Sequence, residues 1–453
     1  MVFTELSFLF VFLPVVLAVY YLCPTKIKNL ILVLASLVFY AWGEPKYVLV
    51  MLASIVINYV NGIVLGKMLA RERKITARVT IIVSVIENLG VLTLFKYAGP
   101  HVGLALPIGI SFYTFQIMSY LIDVYRRKVN SQKNFINFAA YVTMFPQLIA
   151  GPIVRYKTVD EQLIKRVHSV DKFAEGIRRF IIGLAKKVLL ANVAGGMWEY
   201  ILDASDRSAV LAWLGALGFA FQIYFDFSGY SDMAIGLGKM FGFDYEENFN
   251  YPYIGKSITE FWRRWHISLS TWFKEYVYIP LGGNQKGILR QIINIFIVWT
   301  LTGIWHGASF NFMVWGMYFG VFLILEKLVL RKLLDRLPAV CGHIYMLLLV
   351  LMGWVLFAID DWSALRDYLG SMFGSNGFAG KETAYIALKY LGLLMICVVA
   401  STPLFKNLAD KILPKIPSVI RVIVVNLVLV LLLLVSVSLV VGDSYNPFLY
   451  FRF

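Results

Sequence analysis

Apolar runs close to the ~20 residues that cross a bilayer as a helix recur along the whole chain, separated by short polar connections. Backbone in hydrocarbon must satisfy its own hydrogen bonds, so such runs are helices or strands of a closed barrel. Blocks as long as residues 423–441 exclude the short alternating strands of a barrel. The pattern predicts an all-α polytopic membrane protein with about eleven or twelve transmembrane helices. The first run, residues 8–22, has neither a basic leader nor a small-residue cleavage site. It reads as a membrane helix and not as a removed signal.

One stretch departs from the pattern. Residues 135–153 contain Pro146, Gly151 and Pro152 and carry basic residues at both flanks. A re-entrant or interfacial segment is expected, its non-helical backbone buried in protein or lining a cavity. The positive-inside rule orders the remainder. Lys67, Arg71, Arg73, Lys74 and Arg78 mark a cytoplasmic connection, which places Lys26 and Lys28 inside and the N-terminus outside. Alternation then puts residues 96–101, 203–207 and 360–383 outside, and 126–133, 285–290, 326–336 and 406–421 inside.

Composition agrees. The 453 residues are 59% hydrophobic and 15% charged, with a net charge of +15, and the mean hydropathy is +0.72. Basic cytoplasmic loops account for the charge, so no nucleic acid is implied and the bilayer is the expected partner. Cys23, Cys341 and Cys397 form no pair motif, and the five histidines show no metal-binding spacing. The chain reads as one integral membrane domain over 1–453: N-terminal helices to 134, a core over 135–330 and C-terminal helices over 331–453.

Candidate chemistry lies between residues 221 and 312. "YFDFSGYSDMAIGLGKMFGF" sets Asp226, Ser228, Tyr230, Ser231 and Asp232 at the end of an apolar run. Asp226 and Asp232 either face a cavity, or Ser231 or Asp232 caps a following helix. In "SITEFWRRWHISLSTWF", Ser257 and Glu260 have capping-box spacing, so one amphipathic helix is expected from Ser257 onward. Thr259, Arg263, His266 and Ser270 share a face of it. Arg263 and Arg264 suit lipid phosphate or an anionic donor arriving from the cytoplasm. "LTGIWHGASFNFMVWG" holds His306 at the tip of an apolar hairpin, between Gly303 and Gly307, which permit close backbone approach. An ionisable group there is costly and points to function.

These stretches, with "FPQLIAGPIVRY", "IPLGGN" and "SLVFYAWGEPKYV", resemble the membrane-bound O-acyltransferases, and within them the bacterial alginate O-acetyltransferase subfamily. The likeness is strong to about residue 330 and looser beyond. It implies a core of tilted helices around a central channel, with re-entrant and interfacial helices. It also implies transfer of an acetyl group from a cytoplasmic thioester to hydroxyls of an extracytoplasmic polysaccharide, either an alginate-like exopolysaccharide or a cell-wall glycan. On that resemblance His306 and His266 are the catalytic residues. Arg263, Arg264, Asn311, Asp226, Ser228, Asp232, Asn250 and Tyr253 are the expected substrate-binding residues. Neutral imidazole suits a base that takes the hydroxyl proton, and an acetyl-imidazole on His306 is a variant. The Asn311 side chain or the Gly307 amide is expected to hold the oxyanion. Acetyl-CoA or another acetyl thioester is the donor, with no tightly bound cofactor and no metal. A secreted or membrane-anchored acetyltransferase is the expected partner, and the bacterial inner membrane the expected location. D-alanyl or other acyl transfer to an envelope polymer stays open, as does a transporter or export scaffold.

Overall fold

The computed structural model of the chain describes residues 1–204, 207–442 and 448–449, the side chain of Pro100 excepted. The expected outer connection at 203–207 therefore lies partly outside the described residues. Among the described residues every regular element is a helix. Ten helices there are long and apolar enough to cross a membrane. The larger count expected from sequence included Phe8–Leu22 and Ile110–Tyr125, which fall short of that length. Ser418–Gly442 shows why a bilayer is needed. Its mean hydropathy is 3.1 and only 6% of its apolar window is buried, a surface no aqueous monomer exposes.

The chain divides into two compact units. The first comprises Met1–Ile181 and Tyr230–Glu247. Its core is aromatic: Phe3 stacks on Tyr230 with ring centres 4.7 Å apart, and Phe8, Phe39 and Phe145 close around it. The broken stretch forms two short helices, Phe135–Thr143 and Phe145–Leu148. Every residue from 138 to 156 is buried. The backbone freed at the break finds partners, as a dry environment requires. Ser36 Oγ accepts from the Phe145 amide at 3.0 Å, and Gln147 donates to the Tyr141 carbonyl at 2.8 Å. Residues 244–247 are pinned by ion pairs to Lys172, Arg155 and Arg179.

The second unit comprises Ile182–Gly229 and Asn248–Phe453. Its central feature is the hairpin of Gly287–His306 and Phe310–Leu325. A Cβ on Gly303 would collide with the Phe312 carbonyl oxygen, and one on Gly316 with that of Trp299. Glycine at both places lets the two backbones touch. Trp299, Trp315 and Phe319 of this hairpin pack with Trp262, Trp354 and Phe357 through edge-to-face contacts.

Four expectations need correction. The helix Ala209–Met240 runs unbroken for 32 residues, so neither Ser231 nor Asp232 caps anything. Six residues along a helix is a turn of about 600°, which points Asp226 and Asp232 different ways, and Asp232 is not among the residues lining the cavity that Asp226 borders. The amphipathic helix expected from Ser257 is two helices, Ile258–Arg264 and Ile267–Phe273, broken at Trp265 and His266. Finally, Glu326 belongs to the helical run Phe310–Leu334 and not to a charged connection.

Candidate active site

His306 is the last residue of the Gly287–His306 helix and is buried. The hairpin places it at its tip, as the sequence pattern suggests. Its ring lies 5.1 Å from Trp315 and 5.3 Å from Phe357, both nearly perpendicular to it, and 4.8 Å from Trp305. Gly307 follows in extended backbone, packed where a Cβ would meet the Phe312 ring.

His266 reaches the same region by a different route. Ser257 Oγ accepts from the Glu260 amide at 3.0 Å and starts the first short helix. The buried Glu326 carboxylate adds to this cap, accepting from the Ile258 amide at 2.5 Å, the Thr259 amide at 2.9 Å and the Thr259 hydroxyl at 2.6 Å. A negative charge suits that helix end. The helix stops because residues 248–250 run beside its exit. The Asn250 amide donates to the Arg264 carbonyl and the Ile267 amide to the Asn248 carbonyl, both at 2.9 Å. Between those two bonds His266 takes φ +44° and ψ +56°. That left-handed conformation costs a side-chain-bearing residue ~1–3 kcal/mol. Strain at a buried imidazole is a sign of use.

Asn248 fixes the chemistry of that imidazole. Its Oδ1 accepts from the Ser268 amide at 3.2 Å, the Ser268 hydroxyl at 2.9 Å and His266 Nδ1 at 3.1 Å. A carbonyl oxygen only accepts, so Nδ1 carries the proton and Nε2 is the basic nitrogen of neutral His266. Burial pushes the His266 pKa down to about 3 because the charged form loses its water. The ring is neutral at pH 7.

Two cavities meet at the histidines. The larger, about 350 Å³, has Arg263, Ser270, Lys274 and Tyr278 among its lining. Arg263, Ser270 and Lys274 are exposed, so this cavity has an open, cationic side. The smaller, about 20 Å³, is lined by Ile223, Asp226, Phe227, Trp354, Phe357 and Leu449. Trp265, His266, His306 and Trp315 line both. Two buried imidazoles thus stand where a polar-mouthed cavity meets a narrow apolar one.

Among the other expected residues, Arg263 and Asp226 reach these cavities and the rest do not. Arg264 is tied to Glu260 at 2.8 Å and donates to the Asn250 carbonyl at 3.1 Å. Asn250 serves the strand-like pairing through its backbone and is exposed. Asn311 donates to the Leu356 carbonyl at 3.2 Å and lines neither cavity. The Tyr253 hydroxyl donates to the Ala220 carbonyl at 2.7 Å and accepts from Trp354 Nε1 at 3.1 Å; it binds helices together. Ser228 is buried within the long helix and lines neither cavity. Asp232 pairs with Arg179 at 2.9 Å in the first unit. Asn248, Lys187 and Leu449 were missed. Only Asn248 left a trace, as a polar residue beside the aromatic Phe249 and Tyr251.

These features define a multi-pass helical membrane protein with paired buried histidines at the junction of two cavities. The sequence profile of the membrane-bound O-acyltransferase family, MBOAT, matches residues 36–357. The chain is 38% identical to a probable alginate O-acetylase of Pseudomonas aeruginosa across 100% of both chains. It is 33% identical to a peptidoglycan O-acetyltransferase of Helicobacter pylori, over 88% of this chain and 86% of that one. A teichoic acid D-alanyltransferase of Bacillus subtilis is 30% identical over 48% of this chain and 58% of its own. The chain belongs to the membrane-bound O-acyltransferase family and is an acyltransferase.

Proposed function

We propose that this enzyme moves an acetyl group from a cytoplasmic thioester, acetyl-CoA or a similar donor, to a hydroxyl of an extracytoplasmic polysaccharide. The observation that carries this reading is the pair of buried histidines lining both cavities. The donor occupies the larger cavity, where Arg263 and Lys274 suit its anionic groups. His306 takes the proton of the attacking hydroxyl as its oxygen bonds to the thioester carbonyl carbon. The carbon–sulfur bond then breaks, the departing thiolate takes the proton, and ester and free thiol leave. His266, held neutral, orients the donor or relays the proton through Nε2. The whole chain acts as one integral domain of the bacterial inner membrane, with its N-terminus outside. The attacking hydroxyl belongs to the polysaccharide or to a secreted or anchored acetyltransferase that carries the acetyl group on to it. Full-length identity to an alginate O-acetylase, against a half-length match to a D-alanyltransferase, favours acetyl as the group carried. The purified chain in lipid nanodiscs should release thiol from acetyl-CoA in the presence of polysaccharide, measured with a thiol-reactive dye. No release above the thioester's own hydrolysis would overturn acetyl-CoA as the donor and leave transfer of another acyl group as the better reading.

A further inference from the structure

The smaller cavity is closed on one side by a part of the chain remote in sequence. Leu449, which follows the last long helix, lines it beside Asp226, and its amide donates to Asp226 Oδ2 at 2.8 Å. Asp226 is itself held by Lys187, Nζ to Oδ1 at 2.5 Å, with both side chains 3% exposed. The same ammonium lies 4.7 Å from the ring centre of Phe448, which is fully buried. One ion pair therefore grips two consecutive residues, Phe448 through its ring and Leu449 through its backbone.

A buried ion pair is poor evidence for stability, since apolar residues of the same volume often serve as well. What the carboxylate adds is direction. A backbone N–H bonded to Oδ2 fixes where the Leu449 side chain stands, which an apolar contact would not do. The space that remains is about 20 Å³, enough for one or two water-sized groups. Apart from Asp226 and the two imidazoles, its lining is apolar. Lys187 offsets the Asp226 charge, so the cavity borders an ion pair and not a lone carboxylate.

We propose that Leu449, positioned by the Lys187–Asp226 pair, is the residue that limits the transferred acyl group to the size of acetyl. This rests on the reading of acetyl transfer given above. The methyl of an acetyl group fits the small cavity when its carbonyl stands at the histidines, and each further methylene meets Leu449. One methylene too many in an apolar pocket costs ~10–200-fold in specificity.

The test compares thiol release from acetyl-CoA and propionyl-CoA by the full chain in nanodiscs, as a ratio of kcat/KM values. A general loss of rate does not enter that ratio. The parent should favour acetyl by at least ~10-fold. Leu449→Ala should bring the two within about threefold, and Leu449→Met, which keeps the volume, should retain the preference. The Lys187→Met, Asp226→Leu double variant keeps apolar bulk but frees residues 448–449, and should also gain propionyl transfer. An unchanged ratio in Leu449→Ala would overturn the proposal, and so would loss of both activities there, which would make Leu449 part of the machinery. A parent that turns over both thioesters equally would sink the size limit and leave acyl transfer standing. A parent inactive on acetyl-CoA would remove the underlying reading as well.

Discussion

The two histidines are held by opposite means. His306 ends a regular 20-residue helix in a hairpin whose glycines bring the backbones together. His266 sits at a strained corner between two seven-residue helices, at φ +44°, stitched in place by residues 248–250. The hairpin would exist without its histidine. The corner would not exist without the bonds around it. A group at a helix end is placed by elements that are stable for other reasons, whereas a group at a strained corner is placed by a local network that must survive intact. His306 therefore suits the central proton transfer, and His266 a role that depends on fine orientation.

The strongest way to break this comparison is to remove each imidazole in turn. His306→Ala should lower acetyl transfer by at least the ~10²-fold typical of a lost general base, while the protein inserts and purifies like the parent. For His266 the informative change is His266→Asn, because asparagine tolerates the left-handed corner and removes only the ring. Transfer should fall about tenfold, equivalent to ~1.4 kcal/mol of transition-state stabilisation. A larger loss for His266→Asn than for His306→Ala in the same thiol-release assay would reverse the assignment of roles.

The same contrast explains what could be read from the chain alone. Membrane helices, the Ser257 cap and the hairpin with His306 at its tip depend on residues a few positions apart, and their patterns are local. The break at His266 depends on residues 248–250, some 18 positions away for Asn248. Nothing in the helical periodicity of 257–273 announces it. Asp226 shows the limit most clearly. Sequence proximity paired it with Asp232, but its partners are Lys187 and the amide of Leu449, 223 positions off. Tyr253 and Asn311 were expected at the site on the family resemblance, which carries no information on which partner each side chain takes. In a dry interior a polar side chain also serves to tie helices together through carbonyl groups, and that is their use here.

A subtler change acts on the bond that fixes His266. Asn248→Asp keeps an oxygen for Ser268 and for Nδ1 but adds a negative charge beside the ring. In the parent, burial holds the His266 pKa at about 3, below the ~6.5 of an unfolded chain. Its neutral form is thus populated throughout pH 5–8. The stability this group contributes is complete above ~6.5 and is lost as pH falls from there toward the folded value. The added carboxylate favours the imidazolium and raises the folded pKa. The acid limb of the rate profile should therefore move to higher pH in Asn248→Asp, with less acid destabilisation of the fold. Coincident profiles for parent and variant would mean that His266 does not titrate in the reaction.

The smallest effect separates two neighbouring arginines. Arg263 is exposed and lines the larger cavity. Arg264 is spent on Glu260 and the Asn250 carbonyl, where it helps hold the corner before His266. Arg263→Ala should raise the KM for acetyl-CoA several-fold, as expected for a rim charge worth about 1 kcal/mol toward an anion, with kcat and thermal stability unchanged. Arg264→Ala should leave the donor KM as it is and lower stability by about 0.5 kcal/mol, the usual worth of a part-exposed pair one helical turn apart. Its influence on rate should come only through the corner, as a small fall in kcat. If both single variants leave the donor KM unchanged in nanodiscs, Arg263 is a lipid anchor and the larger cavity takes the donor without it.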